Sequence, residues 1–272
     1  MTLKAIRKGA TRKPMRMAIY GPSAIGKTTM VCEMPDPIIL TLEEGLITQT
    51  DQNIWNTEPI ESYPEFIEYL EEIRDNDDYK SRKTLAIDSL DWLESLIEKY
   101  VAEKDDKESI VDFEWGTGYT KSKETMTQVF DILDQIRDKR KMRVVFICHV
   151  KEDRKEKPGL KDYQKYELKL RTGFGEKLKE YLDMVLFYNY KYGEVKTQDD
   201  KGSLKTKVTQ SKERYLFTED CISHFAKNRY NLPEEIKVEK GKVWKALEQE
   251  LKNSLAGLSL IHISEPTRQA SI

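Results

Sequence analysis

Short, unbroken apolar runs alternate along this chain with longer stretches in which apolar residues recur every three or four positions. Met17-Ala-Ile-Tyr20, Ile38-Ile-Leu40, Thr84-Leu-Ala-Ile-Asp88, Arg143-Val-Val-Phe-Ile-Cys148 and Met184-Val-Leu-Phe-Tyr-Asn189 have the length of buried strands. Between them, residues 62–75 open with Ser62 and set Phe66, Ile67, Leu70 and Ile73 at helical spacing. Trp92, Leu93, Leu96 and Ile97 repeat the pattern, residues 122–139 return to it, and a short helix follows Arg171. Residues 104–121, polar and containing Gly116 and Gly118, read as a loop, and residues 150–171 as a long charged, mobile one. Strands without polar alternation are buried on both faces. The pattern therefore predicts an α/β fold with a mostly parallel sheet covered by helices on both sides. From Tyr190 to about Thr218 the chain turns polar and strand-like around Gly202, which predicts an antiparallel hairpin at the C-terminal edge.

One junction carries specific chemistry. Gly21-Pro-Ser-Ala-Ile-Gly-Lys-Thr28 joins the first strand to a helix, the context a phosphate-binding P-loop requires. The glycines let backbone N–H groups turn inward, and the following helix adds positive potential. Gly21, Pro22, Ser23, Ala24, Ile25, Gly26, Lys27, Thr28 and Thr29 are the expected nucleotide contacts. Lys27 should reach the β and γ phosphates of ATP, and Thr28 should place its hydroxyl on Mg²⁺. Asp88 closes the third strand, taken to lie beside the P-loop strand, and suits the second ligand to that metal. A helix N-cap is its other reading, and the two roles can coexist. Glu43 and Glu44 follow the second strand, where a carboxylate would polarise an attacking water. His149 follows the fourth strand, placed either to sense the γ-phosphate or simply to end the strand.

Composition narrows the partners. Of 272 residues, 35% are charged, yet the formal net charge is only -2, so a globally basic nucleic-acid binder is excluded and any such site is a local patch. Lys151, Arg154, Lys155, Lys157, Lys161 and Tyr163 form the candidate patch. Its acids, Glu152, Asp153, Glu156 and Asp162 among them, leave a plain solvated loop as the alternative. Cys32, Cys148 and Cys221 show no metal or disulfide spacing, which fits reduced thiols. No apolar run spans a bilayer, so a soluble protein of the cytoplasm is expected, with no membrane partner. The expected division is a basic arm at 1–15, an ATPase core at 16–235, a C-terminal helix at 236–257 and a tail at 258–272. That tail resembles translated sequencing adapter.

Together these elements resemble the RecA-like P-loop ATPases, and among them the phage-encoded RecA/RadA-type nucleotide-binding family linked to single-strand annealing. That family's second strand ends in a segment like I-D-A-E-x-A-L, matched by Leu40-Thr-Leu-Glu43-Glu-Gly-Leu46. The match implies Glu43 as the water-activating base, with Thr41 standing where the family has an acid. Asp88-Ser89 matches the family's metal-binding strand end. His149 falls at its γ-phosphate sensor, a Gln in RecA and often a His in phage relatives. Lys227-Asn-Arg-Tyr-Asn-Leu-Pro233 resembles K-N-K-x-x-x-P of RecA and K-N-R-F-G of RadA, and otherwise reads as an ordinary basic turn. The resemblance implies that Lys227 and Arg229 reach a neighbouring subunit's ATP in trans, hence a homo-oligomer with ATP at its interfaces. It further implies DNA-stimulated ATP hydrolysis on single-stranded DNA in recombination, annealing or replication, alongside a phage or host single-strand binding protein. A P-loop switch or loader acting on a protein partner is the alternative.

Overall fold

Strand β1 (Arg16–Gly21) hides both of its faces. Met17 and Ile19 enter one hydrophobic layer, Ala18 and Tyr20 the other. A strand covered on both sides has no face to offer water, which is why its sequence does not alternate. The computed structural model describes residues 13–43, 54–156, 159, 161–198 and 204–261. After β1 come α1 (Lys27–Cys32), β2 (Pro37–Thr41), β3 (Trp55–Asn56), α2 (Tyr63–Asp75), β4 (Thr84–Asp88), α3 (Leu90–Lys104) and α4 (Thr117–Arg140). Then follow β5 (Arg143–Lys155), β6 (Tyr163–Leu168), α5 (Thr172–Tyr181), β7 (Met184–Gln198), β8 (Leu204–Phe217), β9 (Lys227–Asn228), β10 (Glu235–Val238) and α6 (Val243–Ile261).

Among the described residues the strands run in the order β10-β8-β7-β1-β5-β4-β2-β3 across the sheet. The pairs from β7 through β1, β5, β4 and β2 to β3 are parallel. The β7–β8 hairpin and β10 are antiparallel additions at one edge. This is the mostly parallel, helix-flanked sheet of a P-loop NTPase, with the expected hairpin edge. Helices α2, α3, α4 and α5 cover one face with residues such as Phe66, Leu93, Val129 and Leu178. Helices α1 and α6 cover the other with Met30, Val31, Trp244 and Leu247. Each fully buried side chain of that size contributes about 1.5–3 kcal/mol. Helix α2 begins where Ser62 predicts, since its hydroxyl accepts the Glu65 N–H at 3.4 Å while the Glu65 carboxylate accepts the Glu61 N–H.

Four expectations are corrected. The strand of Asp88 does not lie beside the P-loop strand, because β5 is inserted between β1 and β4. Helix α4 starts at Thr117, inside the segment read as loop. Its glycines mislead because they serve packing: Gly116 takes φ +69°, and a Cβ on Gly118 would meet Phe113 at 2.7 Å. The charged segment after His149 is a hairpin, with β5 running on to Lys155 and pairing antiparallel with β6. The C-terminal helix begins at Val243 rather than 236, because Ile236 and Val238 alternate into the second core layer as strand β10. Among the described residues no helix is long and apolar enough to cross a membrane.

Candidate functional site

The ends of β1, β2 and β4 lie level with His149 of β5 along one side of the sheet, and the residues at and just beyond this line form the site. Gly21 ends β1 against β7 so closely that a Cβ would lie 2.1 Å from the Tyr188 carbonyl oxygen, so no other residue fits. Gly26 takes φ +115° before α1, a conformation open to glycine and strained for other residues. Lys27 is 7% exposed and its ammonium folds back over the loop, donating to the carbonyls of Gly21 at 2.9 Å and Pro22 at 3.0 Å. Burial pushes its pKa down, against the pull of Asp88. A loop of backbone donors closed by one buried ammonium is a cradle for a polyphosphate.

Thr28 Oγ1 donates to Asp88 Oδ2 at 2.7 Å. Asp88 is buried, and burial raises its pKa, opposed by the Thr28 hydroxyl. A hydroxyl and a carboxylate converging beside a phosphate cradle are the oxygen donors a hard divalent cation takes, so these residues fit Mg²⁺. Asp88 is not the N-cap of α3: that position belongs to Ser89, and no side chain caps there.

His149, at the turn from core strand to hairpin, links two carboxylates. Its Nε2 lies 3.8 Å from Glu43 Oε1, just beyond β2. Its Nδ1 lies 3.1 and 3.0 Å from the two carboxylate oxygens of Asp91, and its backbone N–H donates to Asp91 Oδ1 at 3.2 Å. The Asp91 hydrogen bond raises the His149 pKa. Burial pushes the Asp91 carboxyl up, but the hydrogen bonds and charge of His149 prevail and hold it at about 2. Asp91 is the site residue that sequence reasoning missed. The segment Asp88-Ser-Leu-Asp91 carried the one signal available, a second carboxylate placed in the first turn of the helix that follows the strand of Asp88. Glu44 lies outside the described residues.

Other candidates fall elsewhere. Lys227 and Arg229 stand at the opposite end of the sheet, because β9 pairs with Met184 and Val185 at the start of β7. The length of β1, six residues, separates the two ends by roughly 17 Å. There Lys227 Nζ donates to the Lys179 carbonyl at 2.6 Å, and Arg229 pairs with Asp183 at 3.4 Å. Within one chain neither reaches the P-loop. The hairpin cations are largely taken up internally. Arg154 pairs with Asp162, Lys155 pairs with Asp153 and Glu167, and Lys151 donates to the Leu170 carbonyl. Lys161 is exposed and Tyr163 is half-buried, while Lys157 lies outside the described residues. Beside Asp91 runs a groove of about 450 Å³, bordered by Trp92, Lys151, Lys169 and Arg171 and also by the carboxylates Glu94 and Glu98.

A family model described as "AAA domain" matches residues 13–230. The SPbeta prophage-derived uncharacterized protein YorG of Bacillus subtilis (strain 168) is 28% identical over 157 residues, which is 57% of this chain. The match spans 46% of that relative, so this chain covers about half its length. A crystal structure of the RadB recombinase is similar at 12% identity and a TM-score of 0.43, covering 84% of this chain and 90% of that one.

Proposed function

This chain belongs to the AAA domain family, and from that premise we propose that it hydrolyses ATP at Gly21–Thr28 and uses the reaction to act on single-stranded DNA. The observation that carries the ATPase reading is the meeting of Thr28 with Asp88 at 2.7 Å beside a P-loop whose lysine is buried. In this reading the backbone of Gly21–Gly26 and the Lys27 ammonium hold the β and γ phosphates. Thr28 and Asp88 hold Mg²⁺, which when bound neutralises charge on the phosphate oxygens. Glu43 accepts the proton of the attacking water, and His149, 3.8 Å away, answers to the γ-phosphate. Lys227 and Arg229 act on a neighbouring subunit's nucleotide, so the active unit is an oligomer.

The DNA half of the reading is supported by the RecA-like order of motifs and by the groove beside Asp91. Trp92, 48% exposed, and Trp115, 96% exposed at the approach to α4, are surfaces on which unpaired bases stack. Lys169, 60% exposed at its side chain although it approaches Asp91 at 3.6 Å, offers charge to a phosphate backbone. One observation favours the second reading, a switch acting on a protein partner: Arg154 and Lys155 of the hairpin are already paired within the chain. The test is ATP turnover with and without single-stranded DNA, with Lys27→Ala as the blank. The proposal expects several-fold stimulation by DNA and none in the variant. Turnover indifferent to DNA would pass the assignment to the second reading, and wild-type turnover in Lys27→Ala would remove both.

A further inference from the structure

The contacts of one imidazole carry a consequence for its hydrogens. Asp91 faces Nδ1 of His149 with both carboxylate oxygens, at 3.1 and 3.0 Å. An ionised carboxylate only accepts, so Nδ1 must carry a hydrogen. In a neutral ring that would be the only hydrogen, leaving Nε2 as a bare lone pair turned toward Glu43 Oε1 at 3.8 Å. Two acceptors facing each other repel, and a lone pair offers nothing to a phosphate oxygen. Only the doubly protonated ring donates from both sides at once.

We propose that Asp91 is the positioning residue that makes His149 a hydrogen-bond donor at Nε2, near Glu43 in the resting molecule and available to the γ-phosphate of bound ATP. This rests on the reading of His149 as the phosphate-sensing group. Asp91 is suited to the task because it is 9% exposed and fixed in the first turn of α3. It also takes the backbone N–H of His149 at 3.2 Å, so ring and main chain are oriented together. Among the described residues, Asp91 from α3, Glu43 beyond β2, Lys27 from α1 and Asp88 from β4 are charged groups whose fields reach the ring. Lys169, following β6, approaches Asp91 at 3.6 Å and shares its charge. The carboxylates favour the charged ring and Lys27 opposes it, with the direct Asp91 contact the largest influence.

The experiment follows the ring nitrogens of His149 by NMR in the full chain, wild type against Asp91→Asn, with ATP turnover measured over the same pH range. The chain has three histidines, so His149→Gln assigns the signal. The expected result is a His149 that stays doubly protonated to higher pH in the wild type, and loses its proton at least one pH unit earlier in Asp91→Asn. Turnover of that variant should hold near pH 6 and fall tenfold or more by pH 8, in kcat rather than in KM. Asp91→Glu should restore the alkaline activity. Should Asp91→Asn fail to fold, Asp91→Ser, with a small polar group at the same helix turn, serves both measurements. An unmoved ring titration in a folded variant, or a loss of kcat independent of pH, overturns the proposal. Full turnover in His149→Gln overturns instead the sensor reading on which it rests.

Discussion

Thr28 and Asp88, sixty residues apart in sequence, meet at 2.7 Å across a strand that belongs to neither. Their contact gives the first prediction. Asp88→Asn keeps a partner for the Thr28 hydroxyl but removes the anionic ligand, so Mg²⁺-dependent ATP hydrolysis should fall by roughly a hundredfold or more. Burial raises the pKa of Asp88, so the folded chain holds that proton more tightly than the unfolded one. The carboxyl therefore costs stability as pH rises from its ordinary value through the raised one. At pH 7 the variant should melt no lower than the wild type. Unchanged Mg²⁺-dependent turnover would sink the metal assignment.

Glu43→Gln separates binding from chemistry. Its amide cannot take a proton from water, so ATP should still bind while turnover drops by two orders of magnitude or so. Nucleotide affinity by calorimetry and phosphate release in single-turnover mixing would be compared. A larger loss in Glu44→Gln would move the base by one residue.

Arg229 offers a test of assembly. It follows β9, which pairs with the start of β7, so about one strand length, roughly 17 Å, separates its end of the sheet from the P-loop of its own chain. Arg229→Ala should lose hydrolysis and keep most nucleotide affinity, because a charge placed by a neighbour acts mainly in the transition state. Mixing it with Lys27→Ala should recover part of the activity, each subunit supplying the half the other lacks. Light scattering alongside the mixing series checks that the two co-assemble. Co-assembled, folded mutants that stay inactive at every ratio would leave Arg229 as a surface residue paired to Asp183.

Glu94 gives a prediction about stability. Burial raises its pKa from 4.5 to about 7, partly offset by the Arg171 backbone N–H that it accepts at 3.1 Å. The folded state then binds more protons than the unfolded one, so stability should fall as pH rises from about 4.5 to about 7. At about 1.4 kcal/mol per pH unit, the loss is bounded at roughly 3 kcal/mol. Glu94→Gln retains an acceptor for the N–H and lacks the titration. Its denaturation midpoint should gain on the wild type between pH 5 and pH 8, and parallel pH curves for the two proteins would refute the argument.

The sheet was legible because β1, β4 and β5 are apolar without alternation, and only burial on both faces makes such a strand. The P-loop was legible because its glycines answer a local demand of the backbone. Strand order was not, since the neighbour of β1 is decided by how helices fill the two faces, and no local pattern reports that β5 enters between β1 and β4. Gly118 illustrates a second limit. It reads as a breaker, yet it stands in the first turn of α4, where Ile110 and Phe113 leave no room for a Cβ. Asp91 shows a third. Its chemistry arises from a contact with His149, fifty-eight residues away, that exists only once α3 and β5 are packed.

The insertion of β5 between β1 and β4 makes the sheet itself the ruler of the site. Two strand spacings of about 4.8 Å separate the P-loop strand from the strand of Asp88, and His149 rides at the end of the strand between. Deleting one residue between Arg143 and His149 would draw the histidine back by about 3.3 Å and turn it to the opposite face. Lengthening the tip between Lys155 and Tyr163 would leave that register untouched. Hydrolysis should therefore tolerate insertions between Lys155 and Tyr163 and fail with a single missing residue in the strand, as a woven pattern survives a longer fringe but not a dropped stitch.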